Sequence, residues 1–123
     1  MKNLLSTINW SDISCDELIV SNDSIVIELS NDELEKNYKL ICVNYIGFAS
    51  IGHWDENILS DISIISDTTF IKNCLDCIQS NYSFTDIPGN PRKFDDEWYE
   101  VKLSFIDNSH LSIVCSDLEI QEL

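Results

Sequence analysis

The 123-residue sequence predicts an α+β or mostly β domain, with an antiparallel sheet of about six or seven strands, sandwich-like or barrel-like, and one amphipathic helix. Several short segments alternate apolar and polar residues, as half-buried strands do. Asn, Asp and Ser residues recur between these segments at roughly the 8–12-residue spacing of antiparallel β proteins. A single segment has helical spacing instead. The length predicts one domain over residues 1–123, with a core that needs neither disulfides nor metals.

The N-terminal half contains four strand signals. Residues 24–30 alternate, and Asn22-Asp23 is a turn signal, so residues 17–21 are expected to pair with them as a hairpin. Residues 38–45 are apolar on both faces and predict a central strand. Residues 57–66 are rich in isoleucine, which favours a strand whose register the pattern leaves open. The acidic stretch 32–36 is either a helical turn or a loop.

The helix is predicted near residue 70. Its apolar side chains recur with the spacing of one helical face: Phe70, Ile71, Cys74, Leu75 and Ile78. Asp67 or Thr68 is the expected N-cap, and the helix is expected to end near Asn81. Residues 83–96 are predicted to be a loop because Pro and Gly cluster there.

A second hairpin is predicted between residues 98 and 116. Apolar side chains at Val101, Leu103 and Phe105 alternate with polar ones, and 107–109 is rich in turn formers. Leu111, Ile113 and Cys115 then continue the alternation. Each strand therefore has one face that packs into the core.

The charge balance excludes two classes of partner. The chain has 7 basic and 22 acidic residues, a net charge of −15 at pH 7. Nucleic acids and anionic membranes both require clusters of Lys and Arg, so neither is expected as a direct partner. The 44% content of hydrophobic residues is too high for a disordered acidic chain, so the charge must cover a folded body.

The five cysteines predict a reducing compartment and no cofactor. They are Cys15, Cys42, Cys74, Cys77 and Cys115, an odd and scattered set. Cys74 and Cys77 form a CxxC spacing, but no second pair of soft ligands accompanies it, so packing is favoured over a zinc or redox site. The N-terminal apolar stretch is too short for a signal peptide, and no apolar run reaches membrane-spanning length. A cytoplasmic protein without metal or cofactor is expected.

Catalysis is not expected, because no phosphate-binding loop, nucleophile elbow or Ser/His/Asp arrangement is present. Two acidic clusters nevertheless adjoin a tryptophan, and large aromatics beside charges are typical of protein-binding surfaces. They supply the predicted partner-binding residues: Asp95, Asp96, Glu97, Trp98, Trp54, Asp55 and Glu56. Trp98 is expected on the outer face of its strand. The alternative is that these aromatics belong to the core.

An acidic single domain that ends in the strand pair 98–105 and 111–115 resembles the bacterial immunity proteins of polymorphic-toxin and contact-dependent growth inhibition systems. The resemblance implies a stoichiometric inhibitor, monomeric in a 1:1 complex, that binds the C-terminal nuclease domain of a cognate toxin in the cytoplasm. Negative charge would accelerate its encounter with that basic domain. Two other functions remain open: binding of an apolar ligand inside a β-rich fold, and oligomerisation through an edge strand.

Overall fold

The structure is a computed structural model that describes residues 10, 13–52, 57–79 and 97–123. It confirms the predicted class: eight strands form two antiparallel sheets, with one helix in the described part of the chain. In chain order the elements are β1 (Ser14–Val20), β2 (Ser24–Asn31), β3 (Lys36–Val43), β4 (Gly47–Ile51), β5 (Leu59–Ile65), α1 (Thr69–Gln79), β6 (Tyr99–Phe105), β7 (His110–Cys115) and β8 (Asp117–Glu122).

Sheet 1 has the strand order β1-β2-β3-β8. The predicted β1–β2 hairpin is present, and Ser21 N–H donates to the carbonyl of Ser24 across its turn at 3.0 Å. β3 lies between β2 and β8, which confirms it as a central strand. The inward side chains of β2 and β3 alternate along each strand and are buried: Ile25, Ile27, Leu29, Tyr38, Leu40 and Cys42.

Sheet 2 has the strand order β4-β7-β6-β5. The predicted β6–β7 hairpin forms its centre, with Val101 opposite Ile113 and Leu103 opposite Leu111. In the turn, Asn108 adopts a φ of 69°, and Ser109 N–H donates to the Asp107 carboxylate at 2.9 Å. Asn tolerates this left-handed conformation better than most residues, which explains its place in the turn.

The two sheets are joined along one side because one long antiparallel strand pair bends from sheet 1 into sheet 2. β3 leads into β4 and β7 leads into β8, so both members of the pair bend at the same place. Backbone hydrogen bonds continue through the bend, from Ile46 N–H to Val114 at 2.8 Å and from Ser116 N–H to Val43 at 3.3 Å. Strands that change sheets at a corner in this way are a known feature of packed β-sheets.

On the opposite side, the described residues contain one isolated bridge between the sheets, from Ser14 to Ile58. Cys15 N–H donates to the carbonyl of Asn57 and Leu59 N–H to that of Ile13, each at 2.8 Å. The sheets therefore pack as a sandwich and do not close into a barrel. The largest cluster of core residues lies between them.

Helix α1 covers the outer face of sheet 2. The Thr68 hydroxyl accepts a hydrogen bond from Ile71 N–H at 3.1 Å, which makes Thr68 the N-cap of the two candidates predicted. Ile71 and Cys74 are buried against Trp98 and Val114 in a second, smaller core cluster. The helix thus covers the part of the outer face of sheet 2 around Trp98 and Val114, whereas no helix of the described residues packs on the outer face of sheet 1.

Two strands, β4 and β8, were not predicted. The 32–36 stretch resolves as a tight turn followed by the first residue of β3, with Glu35 at a φ of 53° and the Asn31 side chain accepting a hydrogen bond from Leu34 N–H. The predicted loop at 83–96 lies outside the described residues. The outer face of β3, which the sequence marks as apolar, is partly exposed at Lys39, Ile41 and Val43, and no further layer of the described residues packs on it.

Candidate partner-binding surfaces

The structure describes two of the seven predicted partner-binding residues. Glu97 is exposed, and its carboxylate accepts a hydrogen bond from the Tyr99 hydroxyl at 2.7 Å. That hydrogen bond is the main cause that raises the pKa of the Tyr99 phenol above its ordinary value. The other five predicted residues lie outside the described part of the chain: Asp95, Asp96, Trp54, Asp55 and Glu56.

Trp98 requires a correction. It lies on the outer side of sheet 2, as its parity predicts, but α1 covers that side and leaves the residue only 6% exposed. The indole therefore packs with Ile71 and Cys74 and is not an exposed anchor for a partner. Strand periodicity identifies the face of a side chain but gives no information on whether a helix covers that face.

A cleft of about 410 Å³ lies where α1 begins and β6 starts. Its lining combines the helix, the end of β5 and the start of β6: Ser66, Asp67, Ile71, Leu75, Glu97, Trp98 and Tyr99. Asp67 and Glu97 are exposed carboxylates at this cleft. The indole Nε1–H of Trp98 is buried and has no acceptor among the described residues, which is unusual for a native donor.

The CxxC pair has the geometry of packing. Cys74 faces the core, whereas Cys77 lies on the exposed flank of the same helix face. Burial, followed by the charges of Cys77 and Glu100, raises the pKa of Cys74. A protonated thiol is a poor nucleophile and a poor metal ligand. No group of three or more His, Cys, Asp or Glu side chains able to hold a metal is found within the described ranges.

Two further cysteines meet between the sheets, which the sequence does not reveal. Cys42 on β3 and Cys115 on β7 are both buried, and a hydrogen bond between their thiols is the main cause that raises the pKa of Cys42. Both residues pack as small hydrophobic side chains, as predicted. Their contact depends on which sheet each strand joins, and periodicity carries no such information.

The outer face of sheet 1 is a second candidate surface, missed by the sequence analysis. The register places Ile19 opposite Val26, and Val26 opposite Ile41, in one row across three strands. Glu119 on β8 completes that row. The next row contains Glu17, Glu28 and Lys39. Residues 38–45 are apolar on both faces and so carry part of this signal, but the row across three strands depends on the register.

Comparison with known proteins adds no assignment: no family model matches the chain, and neither a curated protein nor a solved structure does. Among the described residues, no helix combines the length and the apolar character needed to cross a membrane. The function must therefore be inferred from the surface of the molecule itself.

Proposed function

We propose that this chain is an immunity protein that binds and neutralises the basic nuclease domain of a cognate toxin in the cytoplasm. The observation that carries the proposal is the unbalanced charge. Even if all 7 basic residues were paired, 15 of the 22 carboxylates would remain without a cation. Such a surface is complementary to a nuclease, whose substrate-binding site must itself be cationic.

The structure is consistent with carboxylates that are available to a partner. Two ion pairs occur among the described residues, Lys36–Glu122 at 3.2 Å and Lys39–Glu28 at 4.0 Å, and all four side chains are substantially exposed. Exposed pairs of this kind contribute little to stability. Within the described part of the chain these pairs involve two carboxylates, those of Glu28 and Glu122, which supports a role of the remaining negative charge in recognition.

The acidic cleft beside α1 supports the predicted position of the interface. Glu97 and Asp67 lie at this cleft, and Glu97 directly follows the predicted acidic residues Asp95 and Asp96. A cationic side chain of the toxin would find two carboxylates at this cleft, those of Asp67 and Glu97. The buried Trp98 packs against α1 and so holds the start of β6, with Glu97 beside it, next to the helix.

The alternative of a buried apolar ligand is less well supported. The apolar cavity at one end of the sandwich, lined by Ile64, Val101 and Leu118 among others, has a volume of about 160 Å³. Ligand pockets are typically about 300–1,000 Å³. This cavity is too small for most such ligands.

The proposal expects a neighbouring reading frame to encode a large protein that ends in a basic, nuclease-like domain. The experiment is co-purification with that domain at low and high salt, together with survival of cells that express it. Steered binding predicts capture that weakens as salt rises. The double reversal Asp95→Lys with Asp96→Lys should weaken capture and protection. The reversal of Asp32 and Glu33 to Lys, in the exposed β2–β3 turn, makes the same change in net charge and is the matched control.

Full protection by the chain with Asp95 and Asp96 reversed would show that these two carboxylates are not needed for binding. If both double reversals weaken capture equally, the effect depends on net charge and not on the positions of the carboxylates. Capture that does not change with salt would contradict electrostatic steering, and absence of capture by the native chain would contradict the proposed function.

A further inference from the structure

We propose that the outer face of sheet 1 is the docking surface for the cationic partner, with Ile19, Val26 and Ile41 at its centre and carboxylates around them. This inference rests on the proposed function and gives the interface a different position from the acidic cleft beside α1, so the variants below and the reversal of Asp95 and Asp96 distinguish the two positions. It concerns a face that lies on the other sheet from Trp98 and the helix.

The first observation is an apolar row on a solvent-facing sheet. Ile19, Val26 and Ile41 lie side by side on β1, β2 and β3, spanning about 10 Å at the usual strand spacing. Ile19 is 43% exposed, and the other two are partly exposed. Val43 extends the apolar area into the neighbouring row, opposite Ser24. Contiguous apolar patches on a soluble chain typically mark interaction sites.

The second observation is the charge around that row. Glu17 and Glu28 lie on one side of it, and Glu119 and Asp117 lie on β8. Lys39 is the one basic residue on this face among the described residues, so four carboxylates and one ammonium group leave an excess of three negative charges. An apolar centre with a charged rim is the general arrangement of protein interfaces.

The third observation is that the rim includes a destabilising pair. The register places Glu17 directly opposite Glu28, and like charges directly opposite each other on a sheet are destabilising. Lys39 lies 4.0 Å from Glu28 and offsets part of this repulsion within the sheet. A cationic side chain of a partner would relieve the remainder on binding.

The occupant follows from charge. A second copy of the chain would bring another net charge of −15 against the same acidic face, which is unfavourable over a Debye length of about 10 Å at 0.1 M salt. A partner with Lys or Arg around an apolar or aromatic side chain is complementary in both respects. The docking surface is therefore assigned to a cationic protein.

The test uses the full chain and the nuclease-like domain of the neighbouring reading frame, with association and dissociation rates measured at several salt concentrations. The centre variant, Val26→Thr with Ile41→Thr, removes apolar contact and keeps β-branched residues. Its control is Ile65→Thr with Ile106→Thr, two exposed isoleucines elsewhere on the surface. The rim variant, Glu17→Gln with Glu119→Gln, is matched by Glu33→Gln with Asp61→Asn.

The centre variant should raise the dissociation rate roughly tenfold or more, as the loss of an interface centre does. The rim variant should lower the association rate and flatten its salt dependence more than its charge-matched control does. Thermal melting of each variant checks folding, and the rim variant should melt no lower than the native chain because it removes a like-charge contact.

Several results would overturn the inference. If the native chain binds with salt dependence but the centre and rim variants behave as their controls do, the interface lies elsewhere and the proposed function still stands. If the native chain self-associates in sedimentation and the centre variant does not, the face belongs to a second copy. If the native chain does not bind the nuclease-like domain, the proposed function fails and the inference fails with it.

Discussion

At the scale of single residues, two glycines mark places where the backbone of one element comes very close to another. Gly52 has a φ of 112°, and a Cβ there would lie 2.9 Å from the Ser109 Cα in the β6–β7 turn. Gly47 allows β4 to approach α1, because a Cβ there would overlap the Sγ of Cys74. Truncating a side chain can remove only the second contact, because at Gly52 the backbone Cα of Ser109 would remain 2.9 Å away. Gly47 is therefore suitable for a coupled test.

Gly47→Ala should lower the free energy of unfolding by about 1–3 kcal/mol, as overpacking does in a close-packed site. In a Cys74→Ala background the same substitution should be nearly neutral, because the next atoms, the Cys74 Cβ and the Phe70 Cζ, would lie at ordinary contact distances of 3.6 and 4.0 Å. Urea denaturation of the four proteins gives the coupling energy. A coupling near zero would mean that β4 and α1 are not in contact here.

The buried Cys15 thiol predicts a loss of stability in alkali. Burial, with a smaller contribution from Asp16, raises its pKa from 9.0 to about 11. The unfolded chain therefore releases this proton at lower pH than the folded chain does. The contribution of the Cys15 thiol to the free energy of unfolding is fully present below pH 9 and is lost as the pH rises towards 11. In Cys15→Ala this part of the decline should disappear, whatever its effect on stability at pH 7.

The measurement is the free energy of unfolding between pH 8 and pH 11, by urea denaturation under reducing conditions. Cys77→Ala is the control, because that thiol is exposed. A decline as steep in Cys15→Ala as in the native chain would assign the alkaline transition to another group.

At the scale of elements, the sequence predicted those whose signal is local. The hairpins β1–β2 and β6–β7 alternate over whole strands, and α1 shows its apolar face and its cap. β8 also carries a local signal, since the apolar Leu118 and Ile120 alternate with acidic and polar residues directly after β7, although the strand was not predicted. β4 carries no such signal: four of its five residues are exposed, and its strand conformation depends on pairing with β7. Its position follows from the bend after β3, which no local pattern encodes.

The β6–β7 hairpin should be the element on which the fold depends most. Phe105 is 2% exposed in the core between the sheets, whereas the adjacent Ile106 is 51% exposed. Phe105→Ala should lower the free energy of unfolding by roughly 3–5 kcal/mol, because a cavity would replace a buried ring. Ile106→Ala should change it by less than about 1 kcal/mol. Equal effects of the two substitutions, measured by urea denaturation, would show that the inward face of β6 is assigned wrongly.

At the scale of the whole molecule, the candidate sites could be predicted only in part. The sequence identifies a charge excess and acidic clusters beside tryptophans, and Glu97 does lie at the rim of an acidic cleft. It cannot reveal that α1 covers Trp98, or that the apolar outer residues of β1, β2 and β3 form one row. Both facts depend on how sheets, helix and register combine, and the outer face of sheet 1 becomes visible only from that combination.

A charge surface retained for binding should oppose stability, and Glu17 allows both effects to be measured in one variant. Glu17→Lys replaces the like-charge contact with Glu28 by an attractive one, so it should raise the free energy of unfolding by about 0.5–1 kcal/mol at low salt. The same variant should bind the nuclease-like domain more weakly, because it places a cation on the proposed docking surface.

Asp61→Lys, opposite the uncharged Ser104 on sheet 2, changes the net charge equally and serves as the control. Thermal melting and binding are measured from 10 to 300 mM salt, where the native chain should gain stability as self-repulsion is screened. If Glu17→Lys and Asp61→Lys shift melting and binding alike, only net charge matters, and the acidic row on sheet 1 has no specific role.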